Sequence, residues 1–262
     1  MPQTFPEMYE MHLVGPMFTP WVGLMLDKLD LKGSESLLDV ACGTGIVARI
    51  AKQRTSGKIV GIDINQEMID VARSIELGID WRNGDARSLP LLQGELFDLV
   101  CCQQGLQFMP DKQSALTQMK NALAPGGRFG AAMWRSDEEV PLFFELRAVA
   151  ERHLGPIQDP RHSVSGNDSV VELFVNSGFE GVECEVHSLD VTFPSAGPLL
   201  KMNTMALIGM SASGREMGDE KRVEVAAKIE AESQPVAERF MVGGELVFET
   251  RSIIVIASAG QR

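Results

Sequence analysis

The chain is short of positive charge. Its 262 residues hold 24 Lys and Arg against 36 Asp and Glu, a formal net charge of −12 at pH 7. No run of Lys or Arg stands out, so the electrostatic footprint of a nucleic-acid or anionic-membrane binder is missing. Nor does any apolar run approach the ~20 residues of a membrane-spanning helix. The start, Met1-Pro-Gln-Thr-Phe-Pro-Glu7, lacks the basic opening and apolar core of a signal peptide. Cysteine is scarce as well. Cys42, Cys101, Cys102 and Cys184 form no C-x-x-C pair, and adjacent Cys101 and Cys102 would point to opposite faces of a strand. A shared metal is therefore not expected. Reduced, structural thiols in a cytoplasmic protein are the expectation. No internal repeat or low-complexity tract is present. The length suits one large domain, or a domain carrying a cap.

What is present is a strand, a glycine turn and a helix in immediate succession. Leu37-Leu-Asp-Val-Ala-Cys-Gly-Thr-Gly45 begins as a short buried strand, and Gly43 and Gly45 then permit a tight turn. Ile46, Val47, Ile50 and Ala51 follow on one face of a helix. Such a helix start is a ligand cradle, because its first N–H groups have no internal partner. Gly43-Thr-Gly45-Ile-Val-Ala48 also fits the dinucleotide fingerprint G-x-G-x-x-G/A, so the glycines do not name the ligand. Asp39 discriminates better. A carboxylate at the mouth of this turn repels a pyrophosphate and suits an ammonium or sulfonium group, which favours S-adenosylmethionine (SAM) over NAD.

The rest of the chain alternates. Residues 5–31 read as two helices broken at Gly15-Pro16, an N-terminal arm that either packs on the core or covers the ligand. Lys58-Ile-Val-Gly-Ile-Asp63 reads as a second strand, and Asn65 can cap the helix after it. Ile79-Asp-Trp-Arg82 and Phe97-Asp-Leu-Val-Cys-Cys102 read as strands three and four, and Arg128–Trp134 as strand five. Strands separated by helices imply a doubly wound, mostly parallel sheet with ligands at the carboxyl ends of its strands. Asp39, Asp63, Asp85 and Gln103 all fall at such ends. Beyond Trp134, residues 141–154 read as an amphipathic helix, 155–167 as a loop and 170–176 as a short helix. Val182, Cys184 and Val186 then alternate in one phase and Leu189, Val191 and Phe193 in the other, which predicts a bulge near His187. Residues 199–210 and 220–240 read as helices. Leu246–Ala257 reads as a strand able to close the sheet antiparallel.

These ordered motifs, over residues ~35–135, resemble the class I SAM-dependent methyltransferases, in particular the small-molecule branch called type 11 or ubiquinone-biosynthesis-like. The resemblance implies a Rossmann-like α/β core with a seven-stranded sheet. It divides the chain into an arm or lid (1–34), a SAM-binding core (35–194), a helical cap insertion (195–243) and a final core strand (244–262). It also implies cofactor contacts. Asp39, Ala41, Gly43 and Gly45 belong to the motif that holds the methionine part of SAM. Asp63 matches the acid that binds the ribose hydroxyls, with Ile64 and Met68 near the adenine. Asp85 and Ala86 match the pair that reads the adenine edge, and Gln103 lines the methyl-transfer position. The Asn/Asp-Pro-Pro-Tyr/Phe motif of many amino-group methyltransferases is absent after strand four, where Gln103-Gln-Gly-Leu-Gln107 stands instead. A small-molecule O, S or C acceptor is then expected rather than a base amine or a glutamine side chain.

In-line methyl displacement demands alignment and exclusion of water more than a fixed set of catalytic groups. Tyr9, Gln104, Gln107 and Met205 are candidates to touch the acceptor. A hydroxyl acceptor also needs a base, and His12, in the arm, is the candidate. Two other functions fit the same turn: an NAD(P)-dependent oxidoreductase and a SAM-binding protein without catalysis. For residues 195–243, a homodimer contact is as physical a role as a cap.

Overall fold

The structure is a computed structural model that describes residues 4–163 and 166–260. The first residues of the arm, residues 164–165 of the loop at 155–167, and the last two residues of the final segment lie outside the described residues.

The chain opens with helix α1 (Phe5–Tyr9), capped by a Thr4–Glu7 capping box. No break follows. Glu10–Phe18 continues as a π-helix straight into α2 (Thr19–Leu29). The expected interruption at Gly15-Pro16 is absent because wider π turns accommodate the proline. Val14 O accepts from the backbone N–H of Thr19, five residues on, and from its hydroxyl at 3.0 Å.

The core then alternates as β1 (Leu37–Val40), α3 (Ile46–Lys52), β2 (Ile59–Asp63), α4 (Gln66–Ile75), β3 (Asp80–Asn83), β4 (Phe97–Gln103), α5 (Lys112–Asn121) and β5 (Leu123–Trp134). After β5 come α6 (Pro141–Leu154), α7 (Asn167–Asn176), β6 (Glu180–Phe193), α8 (Ala196–Met210), α9 (Ala212–Glu216) and α10 (Asp219–Glu238). A two-residue strand β7 (Met241–Val242) and β8 (Glu245–Ser258) end the sequence of elements. The seven-strand path of the sheet runs β3-β2-β1-β4-β5-β8-β6, with β7 paired to β8 at the side. β1 to β5 are parallel, and β8 is antiparallel to both β5 and β6. The fold is a doubly wound, Rossmann-like α/β architecture. β8 therefore lies inside the sheet, and β6 forms its edge.

The central strands β1, β2 and β4 are apolar on both sides because helices cover both faces. Leu37, Leu99 and Cys101 pack with α2, α3 and α4. Leu38, Val100 and Cys102 pack with α5 and α7. The two adjacent cysteines thus enter opposite layers. β6 pairs with β8 without interruption through His187, opposite Ser252, and its register shifts only between Glu180 and Glu183. The predicted bulge at His187 is not there. The phase change has another cause: Val182 and Cys184 pack on the α5–α7 side, whereas Leu189, Val191 and Phe193 pack on the α2 side. One straight strand buries a different face in each half. A third cluster, with Val149 of α6, Leu207 of α8 and Ile229 of α10, joins the late helices to one another.

Candidate active site

The carboxyl ends of β1, β2 and β4 open on one cavity of about 510 Å³, roofed by the N-terminal arm and by α8. Its floor is the turn after β1. Ala41, Gly43 and Gly45 all have positive φ, +57°, +54° and +87°. For Ala41 that left-handed conformation costs about 1–2 kcal/mol. The turn is held from β2. Asp63 accepts the Gly43 N–H on Oδ2 and the Asn65 N–H on Oδ1, both at 2.8 Å. A side chain on Gly43 would meet nothing nearer than the Tyr9 ring at 4.0 Å, so the space above Gly43 is open cavity.

Asp39 lines the same cavity at 1 % exposure. Its Oδ2 accepts from Ala48 N–H at 3.1 Å, and its Oδ1 has no partner. Burial pushes its carboxyl up to about 8, against the Ala48 bond and with some help from nearby Asp63. Burial also raises Asp63, though its backbone bonds oppose this. Gln103, on β4, donates to Phe18 O at 3.0 Å and leaves its own Oε1 unpaired. Thr44 Oγ1 is a third buried oxygen without a partner among the described residues. Unsatisfied buried acceptors beside an open turn are costly unless a donor-bearing ligand fills the space. Of the three, Asp39 and Gln103 line the cavity, and their free oxygens fit the ammonium end of an amino acid.

Ile64, Met68, Asp85 and Ala86 line the cavity too. Asp85 is held as a carboxylate, at about 2, by Arg87, whose guanidinium stands 2.6 Å from it. Tyr9 and Gln104 are also part of the wall. Tyr9 stacks near Phe18 at 5.2 Å, and Phe18 near Trp134 at 6.0 Å. Glu10 binds Arg49 of α3 through two bonds of 2.8 and 2.9 Å, tying the arm to the turn-bearing helix.

Four candidates are elsewhere. Gly45 does not line the cavity; it backs onto Trp81 of β3. Gln107 is buried behind the wall, donating to Gln104 Oε1 at 3.2 Å, while Gln104 donates to Ser252 at 3.0 Å. Met205 is off the lining face of α8, which presents Leu199, Met202, Asn203, Ala206 and Met210 at helical spacing. His12 is also outside the cavity, whereas His162, from the 3-10 turn Pro160–His162, lines it. That histidine looked like part of a surface loop. Among the described residues, no group of three or more His, Cys, Asp or Glu side chains could hold a metal. Among the described residues, no helix is long and apolar enough to cross a membrane either.

A parallel sheet with a glycine turn after β1, an acid ending β2 and an open cavity above both defines a Rossmann-like, ligand-binding class of α/β protein. Residues 37–127 match the methyltransferase domain family. A demethylmenaquinone methyltransferase of Lactobacillus johnsonii is 34% identical over 118 residues, covering 42% of this chain and 48% of that protein. The chain thus spans about half the length of that relative. The Lactiplantibacillus plantarum demethylmenaquinone methyltransferase is 26% identical over 184 residues, 62% of this chain and 77% of its own. Among solved structures, a Bacillus halodurans protein described as a candidate methyltransferase shares the fold with a TM-score of 0.58. It is 21% identical, covering 92% of this chain and 99% of its own. Residues 37–127 thus carry the methyltransferase domain, a family whose methyl donor is SAM.

Proposed function

We propose that the protein transfers a methyl group from SAM to a small, largely apolar acceptor by in-line displacement. The observation that carries this is the continuity of one cavity. Its wall joins the polar strand ends (Asp39, Asp63, Asp85, Gln103) to the apolar side chains Leu13, Met17, Phe18, Phe143, Leu199 and Met202. Donor and acceptor then share one largely apolar space walled by protein, which limits water at the reacting atoms. When bound, SAM supplies a methyl group activated on a sulfonium sulfur. Asp39 and Gln103 offer unpaired oxygens to its ammonium end, Gly43 gives room for close approach, and Asp63 remains in reach of ribose hydroxyls. Ile64, Met68, Asp85 and Ala86 surround the adenine.

On this reading residues 1–34 act as a lid, 35–194 as the cofactor core with the last strand at 244–262, and 195–243 as the acceptor cap. The relatives named for demethylmenaquinone support a planar, quinol-like acceptor, and the apolar wall agrees with it. A cation beside Asp39 would offset the burial that raises its carboxyl, whereas a pyrophosphate would raise it further, which weighs against NAD(P) at the turn. Calorimetry with S-adenosylhomocysteine (SAH) and a screen of acceptors with isotope-labelled SAM test the proposal. Tight SAH binding with label transferred to an apolar acceptor is expected. Failure to bind SAH would end it, and tight binding with no transfer across a broad panel would favour a non-catalytic SAM-binding protein.

A further inference from the structure

A second polar cluster on the cavity wall is used by none of the donor contacts: Arg161, His162 and Asn203. Its geometry fixes which atoms are free. Arg161 is clamped by Asp159 through bonds of 2.9 and 2.6 Å, and its Nη1 donates to Asn203 Oδ1 at 3.1 Å. With its oxygen occupied, Asn203, only 5 % exposed, has its amide NH₂ left to offer. His162 Nδ1 lies 2.8 Å from Arg135 O. A carbonyl oxygen only accepts, so Nδ1 carries the hydrogen and the neutral ring has its lone pair on Nε2. No group among the described residues bonds Nε2. The ring packs 5.6 Å from the Phe143 ring, itself part of the wall. A lone-pair nitrogen and an amide donor on one otherwise apolar wall are complementary to a single hydroxyl, which both gives and accepts a hydrogen bond.

We propose that His162 Nε2 receives the hydroxyl proton of a phenol- or enol-type acceptor while the Asn203 amide donates to the same oxygen. This rests on the methyltransferase reading and assigns its acceptor class. In the step, the O–H bond breaks and its proton forms imidazolium on Nε2. The freed electron pair on oxygen makes the new bond to the methyl carbon, sulfur keeps the pair of the C–S bond that breaks, and the imidazolium returns its proton to water. The charges facing His162 are Arg161 beside it, Asp159 before it and Asp137 of the turn ahead of α6, in a site where burial holds the imidazole below its ordinary value and so neutral.

The test uses 4-nitrophenol, whose neutral and ionised forms absorb differently, and 4-nitroanisole, which has the same body without the proton. Both are titrated into the full-length protein loaded with SAH at mildly acidic pH, after SAH affinity has been measured by itself. 4-Nitrophenol should bind about tenfold or more tighter than 4-nitroanisole, roughly 1.4 kcal/mol, and should show the phenolate band when bound. His162→Phe should abolish both the preference and the band with SAH affinity unchanged. His162→Gln, which keeps an acceptor but cannot hold the proton, should retain part of the preference and lose the band. Asn203→Leu should weaken the preference. Equal affinity for the two probes, or a phenolate band that survives in His162→Phe, overturns the assignment while leaving the methyltransferase reading intact. Loss of SAH binding by the wild type overturns that reading itself.

Discussion

Gly45 and Trp81 touch so closely that a Cβ on the glycine would stand 2.1 Å from the indole ring. Trp81 is 6 % exposed and donates its N–H to Glu76 O at 2.7 Å, so the ring cannot retreat. Gly45→Ala should therefore lower the melting temperature through overpacking, about 1–3 kcal/mol, added to a left-handed backbone penalty of about 1–2 kcal/mol. Gly43→Ala carries the same left-handed penalty but meets open space, so it should cost less stability than Gly45→Ala while lowering SAH affinity. Thermal melts and calorimetry on the pair separate the two glycines. Equal stability losses would refute the division.

Asp63→Ala removes the acceptor of two backbone N–H groups, those of Gly43 and Asn65. Bonds to a carboxylate contribute about 1.5–3 kcal/mol each. The variant should remain folded by circular dichroism and bind SAH at least about tenfold more weakly, roughly 1.4 kcal/mol. Unchanged affinity in calorimetry would take Asp63 out of the site.

Asp39 gives a pH prediction with a definite sign. Its carboxyl is raised in the folded protein to about 8 by burial, so the fold holds a proton that the unfolded chain releases near its ordinary value. The stability from this group is complete below the unfolded pKa and is lost as pH rises through about 8. Asp39→Asn should therefore stabilise the ligand-free protein at pH 8 relative to wild type, by a few kcal/mol at most. The same substitution should weaken SAM. Denaturation midpoints across this pH range check the first claim; a midpoint difference that does not grow with pH contradicts it.

Met202 and Met205 lie three residues apart on α8, but only Met202 reaches the cavity. Met202→Trp should narrow the range of acceptors that react, with SAM affinity within about twofold, or ~0.4 kcal/mol. Met205→Trp should leave the acceptor profile alone. If the two variants instead change the molecular mass in solution and leave selectivity untouched, α8 is a dimer contact.

Glu10 and Arg49 predict how the arm behaves. Their side chains are only 22 % and 18 % exposed, and the pair joins the π-helix to α3. Glu10→Ala should speed hydrogen exchange over residues 5–18 in the absence of SAH, and SAH should restore part of the protection. Exchange that is identical with and without ligand would show that the arm is packing alone.

The donor side of the cavity was legible because its signals are local. Glycines in a tight turn, an acid ending a strand and a capping Asn65 each report on their own few residues. Contacts made far along the chain were not. Nothing near Gly45 announces Trp81, which reaches it through β3 pairing with β2. Pro16 signals a break in an ordinary helix, but a π-helix absorbs it. The two phases of β6 were visible, yet their cause lies in which layer covers each half, a tertiary fact. His162 was hidden most thoroughly, since a Pro- and Ser-rich loop reads as solvent-exposed until Phe143 and α8 are seen to enclose it.

The antiparallel pairing of β6 with β8 sets Phe193 opposite Leu246. Everything from α8 to β7 is therefore a detour between two neighbouring strands, about 4.8 Å apart. Whatever occupies that detour has only to leave and re-enter at adjacent points for the sheet register to survive. Its length and helix content are thus uncoupled from the strand ends at β1 and β2, three and four strands away from β8, that carry the glycine turn and acids. Transplanting this loop-out between relatives would be a way to exchange acceptor preference while retaining one donor pocket, with the Phe193–Leu246 pair as the splice point.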